Sequence, residues 1–418
     1  MKVLMLGWEL PPRFAGGVGV VCEALTRALA RRALDVTYWM PHDGAAEIAP
    51  GAAATAAGPV ADGPQPREAG ERAGAVRLLE VPSALASYAS GRPGDPHVDV
   101  PGERRPRAAR PLYGPDLLEE IERFAARCVE LVRARGADFD VIHAHDWTTF
   151  RAGLALKRAT GRPLLAHVHI TEFDKSGGAY ADPRVFAVEQ EGMRGADRVV
   201  AVSRRVAERC IESYGADPRR VRVVYNAVDR DARAADPLPL GEPVVLFLGR
   251  VTLQKGPQYF VEAARKVLDL EPRVTFVLAG NGDLLPRMIE RAAELGLGAR
   301  MLFPGFVDRE RAAALYESAD VFVMPSVSEP FGIVPLEAMD RGVPTIVSRQ
   351  SGVGELLRHA LKVDFWDVDD LAGKIVAALR YPSLASELRE RGRQEVGRIT
   401  WDGVARRFEA LYEEMADA

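Results

Sequence analysis

Apolar residues along this chain fall into two recurring patterns. Short unbroken apolar runs read as strands buried on both faces, because a half-exposed strand would alternate with polar positions. Between them lie longer stretches with apolar positions three and four apart, the spacing of helices that bury one face. The first run is Val3–Gly7, followed by a Pro/Gly turn over Pro11–Gly19 and a helix over Val20–Arg31 carried by Val21, Leu25, Ala28 and Leu29. Asp35–Met40 reads as the second strand. Beyond residue 112 a helix over Asp116–Arg135 precedes strands at Val141–His145, Pro163–His169, Arg198–Val202 and Val221–Tyr225, with helices between them. Asp229–Pro243, rich in Ala, Asp and Pro, breaks the pattern and reads as a linker. A second series follows, with strands at Val244–Leu248, Val274–Ala279, Met301–Pro304, Val321–Met324 and Thr345–Val347. Amphipathic helices over Ser383–Glu395 and Trp401–Met415 close the chain.

Strand–helix alternation of this kind builds parallel sheets with helices on both faces. The prediction is an α/β protein with two Rossmann-like, doubly wound domains, 1–236 and 237–396, facing each other across a cleft. The terminal helix, 397–418, is expected to pack back on the first domain. Ligands of such sheets bind beyond the carboxyl ends of strands, so the chemistry is expected on the loops that follow strands. Residues 43–112 depart from the pattern: they are dense in Ala, Gly, Pro and Arg, with one strand candidate at Val76–Val81. They read as a mobile insertion, and the cluster Arg104, Arg105, Arg107 and Arg110 as either a solvated stretch or an acceptor-binding flap.

Composition narrows the class. The chain has 418 residues, 47% hydrophobic and 27% charged, as expected of a globular protein of two to three domains. Lys and Arg total 55 against 59 Asp and Glu, a net charge of -4, which leaves no basic excess for a nucleic-acid partner. The 3 cysteines, Cys22, Cys128 and Cys210, fit neither a disulfide framework nor a metal spacing and suggest a reducing compartment. The apolar start is interrupted by Trp8, Glu9 and two prolines, too soon for a signal peptide or a membrane span. A cytoplasmic protein without a transmembrane segment is expected.

Four features carry candidate chemistry. In Ser328-Glu329-Pro330-Phe331-Gly332-Ile333-Val334-Pro335-Leu336-Glu337, one glutamate lies on the loop after a strand and the other one turn into the next helix. Glu329 could accept from sugar hydroxyls while backbone N–H groups at the helix start hold anionic groups; the plain alternative is two solvated glutamates favoured by the helix dipole. Gly249-Arg250-Val251-Thr252-Leu253-Gln254-Lys255-Gly256 follows the first strand of the second domain, where Arg250 and Lys255 could converge on a diphosphate or be solvated. Ala15-Gly16-Gly17-Val18-Gly19 lets a phosphate approach the backbone closely, yet it does not match G-x-G-x-x-G. Strand two ends Tyr38-Trp39-Met40 without a ribose-binding acid, which disfavours a nicotinamide enzyme. Finally, His143, His145, His167 and His169 fall on the ends of two successive strands, beside Asp146 and Thr171-Glu172. They could be structural, contact a polar substrate, or ligate a metal, though no HExxH motif or cysteine partner supports a metal. Asp138-Phe139-Asp140 resembles a metal-binding D-x-D but precedes its strand, at the wrong end of the sheet.

Together these features resemble the retaining glycosyltransferases of the GT-B fold, family 4, a group similar to glycogen synthases. The likeness runs along the chain except for residues 43–112, and its core is the E-x7-E pair Glu329 and Glu337. The resemblance implies that Arg250 and Lys255 hold the donor diphosphate and stabilise the leaving group. It implies that Glu337 binds the donor ribose, and that Glu329 with the backbone of Gly332 and Ile333 holds hydroxyls of the transferred sugar. Gly16 and Gly17 would approach the diphosphate from the other domain, His169 would lie near the sugar's 6-hydroxyl, and Asp146 beside the acceptor. The implied reaction is metal- and cofactor-independent hexosyl transfer, of glucose above all, from a nucleoside-diphosphate sugar such as UDP-glucose or ADP-glucose to an α-glucan. A lipid, small-sugar or cell-envelope acceptor is the alternative. Phe14-Ala15 stand before the paired glycines where many glycogen synthases carry a lysine, whereas Trp8-Glu9-Leu10-Pro11-Pro12 looks like the shorter glycogen-synthase-like branch of family 4. Sugar-nucleotide epimerase, phosphorylase and non-catalytic binding readings share the fold; joint presence of Glu329, Glu337, Arg250, Lys255 and His169 argues against the last.

Overall fold

A computed structural model describes residues 1–10, 17–42, 74–82, 117–178, 180–230, 235–240 and 243–417. Gly16 and the Arg104–Arg110 cluster lie outside the described residues, as does most of the 43–112 segment. The first sheet contains β1 (Lys2–Leu6), β2 (Asp35–His42), β3 (Val76–Pro82), β4 (Val141–His145), β5 (Leu164–Val168), β6 (Arg198–Ala201) and β7 (Val221–Val223). Its order is β3-β2-β1-β4-β5-β6-β7, with every pairing parallel. The second contains β8 (Val244–Leu248), β9 (Thr275–Ala279), β10 (Met301–Gly305), β11 (Val321–Met324), β12 (Thr345–Ser348) and β13 (Leu361–Val363), in the order β10-β9-β8-β11-β12-β13 and again parallel. In each sheet the order reverses beside the first strand, at β1/β4 and β8/β11, and ligands of doubly wound sheets bind at such switch points.

The strands form where the apolar runs are because helices cover both faces. In β4 and β5 every residue is buried, including His143, His145 and His167. One hydrophobic cluster runs from Leu4 and Phe124 in the first domain through Val228 to Phe322 and Phe331 in the second, so the two domains share apolar packing. The helix Trp401–Ala416 returns to the first sheet, where Trp401, Phe408, Tyr412 and Met415 pack with Val3, Met5, Val21 and Leu25. Arg32 pairs with Glu409, and Arg198 with Glu414, at its edges.

Two local expectations need correction. The first helix spans Gly17–Arg31 and so starts before Val20. Its opening turn is held from outside: Gly19 N donates to Glu9 Oε2 at 3.3 Å, which makes up for the weak helix propensity of the glycines. The second sheet also has a strand that the apolar pattern did not show. β13 is only Leu361–Val363, too short for a periodic signature, and exists through its parallel pairing to Ile346–Ser348.

Candidate active site

The second domain supplies two loops at its switch point. After β8 the chain turns through Arg250–Gly256, and Gly256 adopts φ +67. A Cβ at Gly256 would lie 2.1 Å from the Pro325 carbonyl oxygen, so glycine is required for this loop to meet the one after β11. The two loops are also bonded through backbone: Val327 N donates to the Gln254 carbonyl at 2.9 Å. Lys255 reaches across and bonds Glu329 Oε2. Glu329 is 6% exposed, so the solvated reading does not hold for it. Ser326 Oγ lies 3.4 Å from the same carboxylate oxygen.

Arg250 is exposed and reaches Gln254 Oε1 of its own loop at 3.4 Å, rather than joining the Lys255–Glu329 pair. Glu337 lies in the helix Val334–Asp340, half-buried, and accepts from Tyr316 Oη at 2.8 Å. Burial raises its carboxyl above the ordinary range, against the opposing pull of Tyr316 and of Arg309 and Arg341. Gly332 has φ +98, and a Cβ there would crowd Glu329 Cγ and Met324 Cε at 3.1 Å; Ile333 follows it at the helix N-terminus. Thr252 Oγ1 and Gln254 Nε2, both on the Arg250–Gly256 loop, are buried without a hydrogen-bond partner.

The first domain contributes the ends of β4 and β5. Asp146 follows β4 and takes the unusual φ of 58 for a residue other than glycine. Its Oδ1 accepts from His169 N at 2.7 Å and from Ile170 N at 3.4 Å, which fixes the turn after β5. Burial pushes its carboxyl up to about 7, with the two backbone donors opposing. The four histidines form one buried stack: His143 and His145 ring centroids are 4.1 Å apart, and those of His167 and His169 4.0 Å. His145 Nδ1 and His169 Nε2 are 2.9 Å apart, and His143 bonds both Tyr412 Oη and His167. Burial holds all four well toward the neutral form, His169 with a pKa down to about 3. Gly17 begins the neighbouring helix, Gly17–Arg31.

Two residues that the motifs did not single out join the domains here. Asp174, 2% exposed, caps its own turn by accepting from Thr171 N and Oγ1 at 3.0 and 2.7 Å. Its other oxygen accepts from Ser328 Oγ at 2.9 Å, beside Glu329. The spacing Thr171-x-x-Asp174 is a readable capping box, but its cross-domain partner is not. Glu355 accepts from Arg204 N and Arg205 N at 2.8 and 3.0 Å and from Tyr225 Oη at 2.9 Å, so a second-domain carboxylate caps a first-domain helix. Its segment is tied to the Glu329 loop, since Gly352 N donates to the Glu329 carbonyl at 2.9 Å and Val353 N to Phe331 at 2.8 Å. Glu355→Ala is expected to weaken domain docking by about 1 kcal/mol, the usual worth of a helix cap. Small-angle scattering should show an expanded particle; an unchanged profile would remove the latch.

Residues 228–395 match the family described as glycosyl transferases group 1, and residues 83–232 that described as glycosyltransferase family 4. The D-inositol 3-phosphate glycosyltransferase of Rhodococcus erythropolis is 31% identical over 361 residues, 79% of this chain and 81% of that protein. The chain belongs to the group 1, family 4 glycosyltransferases. An uncharacterised glycosyltransferase of Methanocaldococcus jannaschii is 27% identical over 99% of this chain and 98% of its own, and glycogen synthase of Mycobacterium tuberculosis is 26% identical over 99% and 94%. Among solved structures, Anabaena HepE in complex with UDP and glucose aligns with a TM-score of 0.70 at 17% identity, over 99% of each chain, and shares the GT-B fold. No helix among the described residues of this glycosyltransferase is long and apolar enough to cross a membrane.

Proposed function

We propose that this glycosyltransferase passes glucose from a nucleoside-diphosphate sugar to an α-glucan hydroxyl, with retention at the anomeric carbon. The carrying observation is the Lys255–Glu329 pair, seated between two switch-point loops that leave Thr252 Oγ1 and Gln254 Nε2 unsatisfied. A cation, a carboxylate and spare polar atoms in one fold of backbone are what a sugar diphosphate needs. In the reaction, the bond from the anomeric carbon to the diphosphate oxygen breaks and the bond to the acceptor oxygen forms on the same face. The acceptor proton passes to the departing phosphate oxygen, so no strong protein base is needed. Arg250 and Lys255 stabilise charge on that oxygen in place of a metal ion, and Glu329 holds sugar hydroxyls with the backbone of Gly332 and Ile333. Glu337 takes the ribose and Gly17 faces the diphosphate from the first domain; Gly16 is assigned the same role. Asp146 holds the backbone of His169 toward the sugar's 6-hydroxyl, and its own carboxyl borders the acceptor. Catalysis is then positioning plus charge stabilisation.

The glycogen synthase relative supports a glucan acceptor, and the inositol phosphate glycosyltransferase, at 31% identity, supports a second reading with a small phosphorylated acceptor. Release of nucleoside diphosphate from UDP-glucose and ADP-glucose, with and without glycogen, separates them. Release that rises with glycogen and is lost in Glu329→Ala is the expected result. Release indifferent to glycogen would overturn the glucan acceptor and turn attention to inositol phosphates.

A further inference from the structure

We propose that Cys22, His145 and His169 form a binding site for zinc or a similar borderline-soft divalent cation. Cys22 is far from the histidines in sequence, so no motif spacing reveals it. The fold brings the helix Gly17–Arg31 over the carboxyl ends of β4 and β5, and one ligand atom from each of the three side chains then lies within 4.8 Å of the other two. All three are buried, at 0%, 2% and 6% exposure. Two ring nitrogens in this interior, His145 Nε2 and His169 Nδ1, have no hydrogen-bond partner. The other two nitrogens, His145 Nδ1 and His169 Nε2, face each other at 2.9 Å, so the two rings already stand side by side as a pair of donors. Tetrahedral zinc with bonds of ~2.0–2.3 Å places its ligand atoms roughly 3.3–3.8 Å apart, so adjustments of no more than about 1 Å are needed to close the set.

The chemistry of the donors agrees. Two imidazoles and one thiol are a donor set that zinc takes in tetrahedral sites. Zinc takes sulfur as the thiolate, so binding at Cys22 releases the thiol proton. A second grouping, His143, His145 and His167, is a weaker site. Both nitrogens of His143 are already used, by Tyr412 and His167, and it has no sulfur. Three protein ligands leave a fourth zinc position for water. Once His169 is a ligand it cannot serve the sugar, so bound zinc is a reversible inhibitor. That consequence rests on the proposed role of His169; the binding site does not.

The test uses the full, metal-free chain without substrate. Competition of ZnCl2 with a chromogenic chelator should give one equivalent bound, with affinity at least ~10-fold weaker in Cys22→Ser and in His145→Gln. Cobalt in place of zinc should give a thiolate charge-transfer band that Cys22→Ser abolishes. Thermal melts establish that the variants fold, and zinc should raise the melting temperature of the parent and not of Cys22→Ser. Absence of the thiolate band, or zinc affinity unchanged in both variants, would overturn the site in favour of surface ligands. Full transferase activity in enzyme whose cobalt band shows metal on Cys22 would leave the site standing and remove the sugar-binding role of His169.

Discussion

Lys255→Ala is expected to lower kcat by about 10²–10³-fold, the scale of losing one group aimed at developing oxyanion charge. The lysine's side chain is 17% exposed and engages the Glu329 side chain, itself 8% exposed, so little water is present to screen what it stabilises. In the free enzyme it neutralises Glu329; in the proposed mechanism the same ammonium faces the leaving diphosphate once donor binds. Arg250→Ala should act in the same direction, and the double variant should lose less than the product of the two, because both act on one leaving group. Lys255→Arg should not restore the rate. The loop carrying Lys255 is pressed against Pro325 through Gly256, and a planar guanidinium cannot copy a compact point charge there. Removing the lysine also leaves Glu329 with Ser326 Oγ at 3.4 Å, so a melting curve must accompany the kinetics. Diphosphate release under saturating donor is the measurement. A kcat within threefold of the parent, in a folded variant, would remove Lys255 from the chemistry.

How much of this was legible in the sequence follows from the range over which each feature is determined. The parallel strands were readable because burial on both faces makes each an apolar run, as in Val141–His145 and Val244–Leu248. The glycosyltransferase family was readable because the motifs that carry the resemblance are short and local, chiefly Gly249–Gly256 and Ser328–Glu337. What the chain could not display is partner choice across distance. Nothing local marks Ser328 for Asp174, Glu355 for the amides of Arg204 and Arg205, or Cys22 for His145 and His169. The histidines illustrate the boundary: their alternation put His167 and His169 on one face. Their enclosure by Phe408 and Tyr412, from the far end of the chain, needed the terminal helix in place. β13 escaped for the opposite reason, because three residues are too few for any pattern and only the neighbouring strand defines them.

Acidification is expected to destabilise the first domain in two stages, and the sign follows from proton linkage. His143, His145, His167 and His169 are held neutral by burial in the native state, whereas each takes a proton near pH 6.5 when unfolded. Below that pH the unfolded chain binds four protons that the native stack refuses, each worth ~1.4 kcal/mol per pH unit, so stability falls as pH falls. Two buried acids oppose this: Asp146 is raised to about 7 and Glu189 to about 8, both chiefly by burial. The native state keeps their protons where the unfolded chain, with ordinary carboxyls near 4, would release them. Between pH ~6.5 and ~4.5 the balance is therefore four protons against two, a loss of about 3 kcal/mol per pH unit, which the raised Glu337 makes shallower if the domains unfold together. Below pH ~4 the acids are protonated in both states and only the histidines count, at about 5 kcal/mol per unit down to the native histidine pKa values. Since a domain has roughly 5–15 kcal/mol to lose, unfolding should set in between pH 4 and 5. The second domain contains no counterpart, its histidine being His359 in a half-exposed pair with Glu395. Urea midpoints followed by tryptophan fluorescence across pH 7 to 3.5 would trace both slopes. His143→Gln, which keeps a hydrogen-bonding partner for Tyr412, should reduce the steep slope by about a quarter. A steep limb corresponding to fewer than two protons would mean the stack accepts charge in place, through rearrangement or water, and would refute the picture of four neutral, enclosed imidazoles.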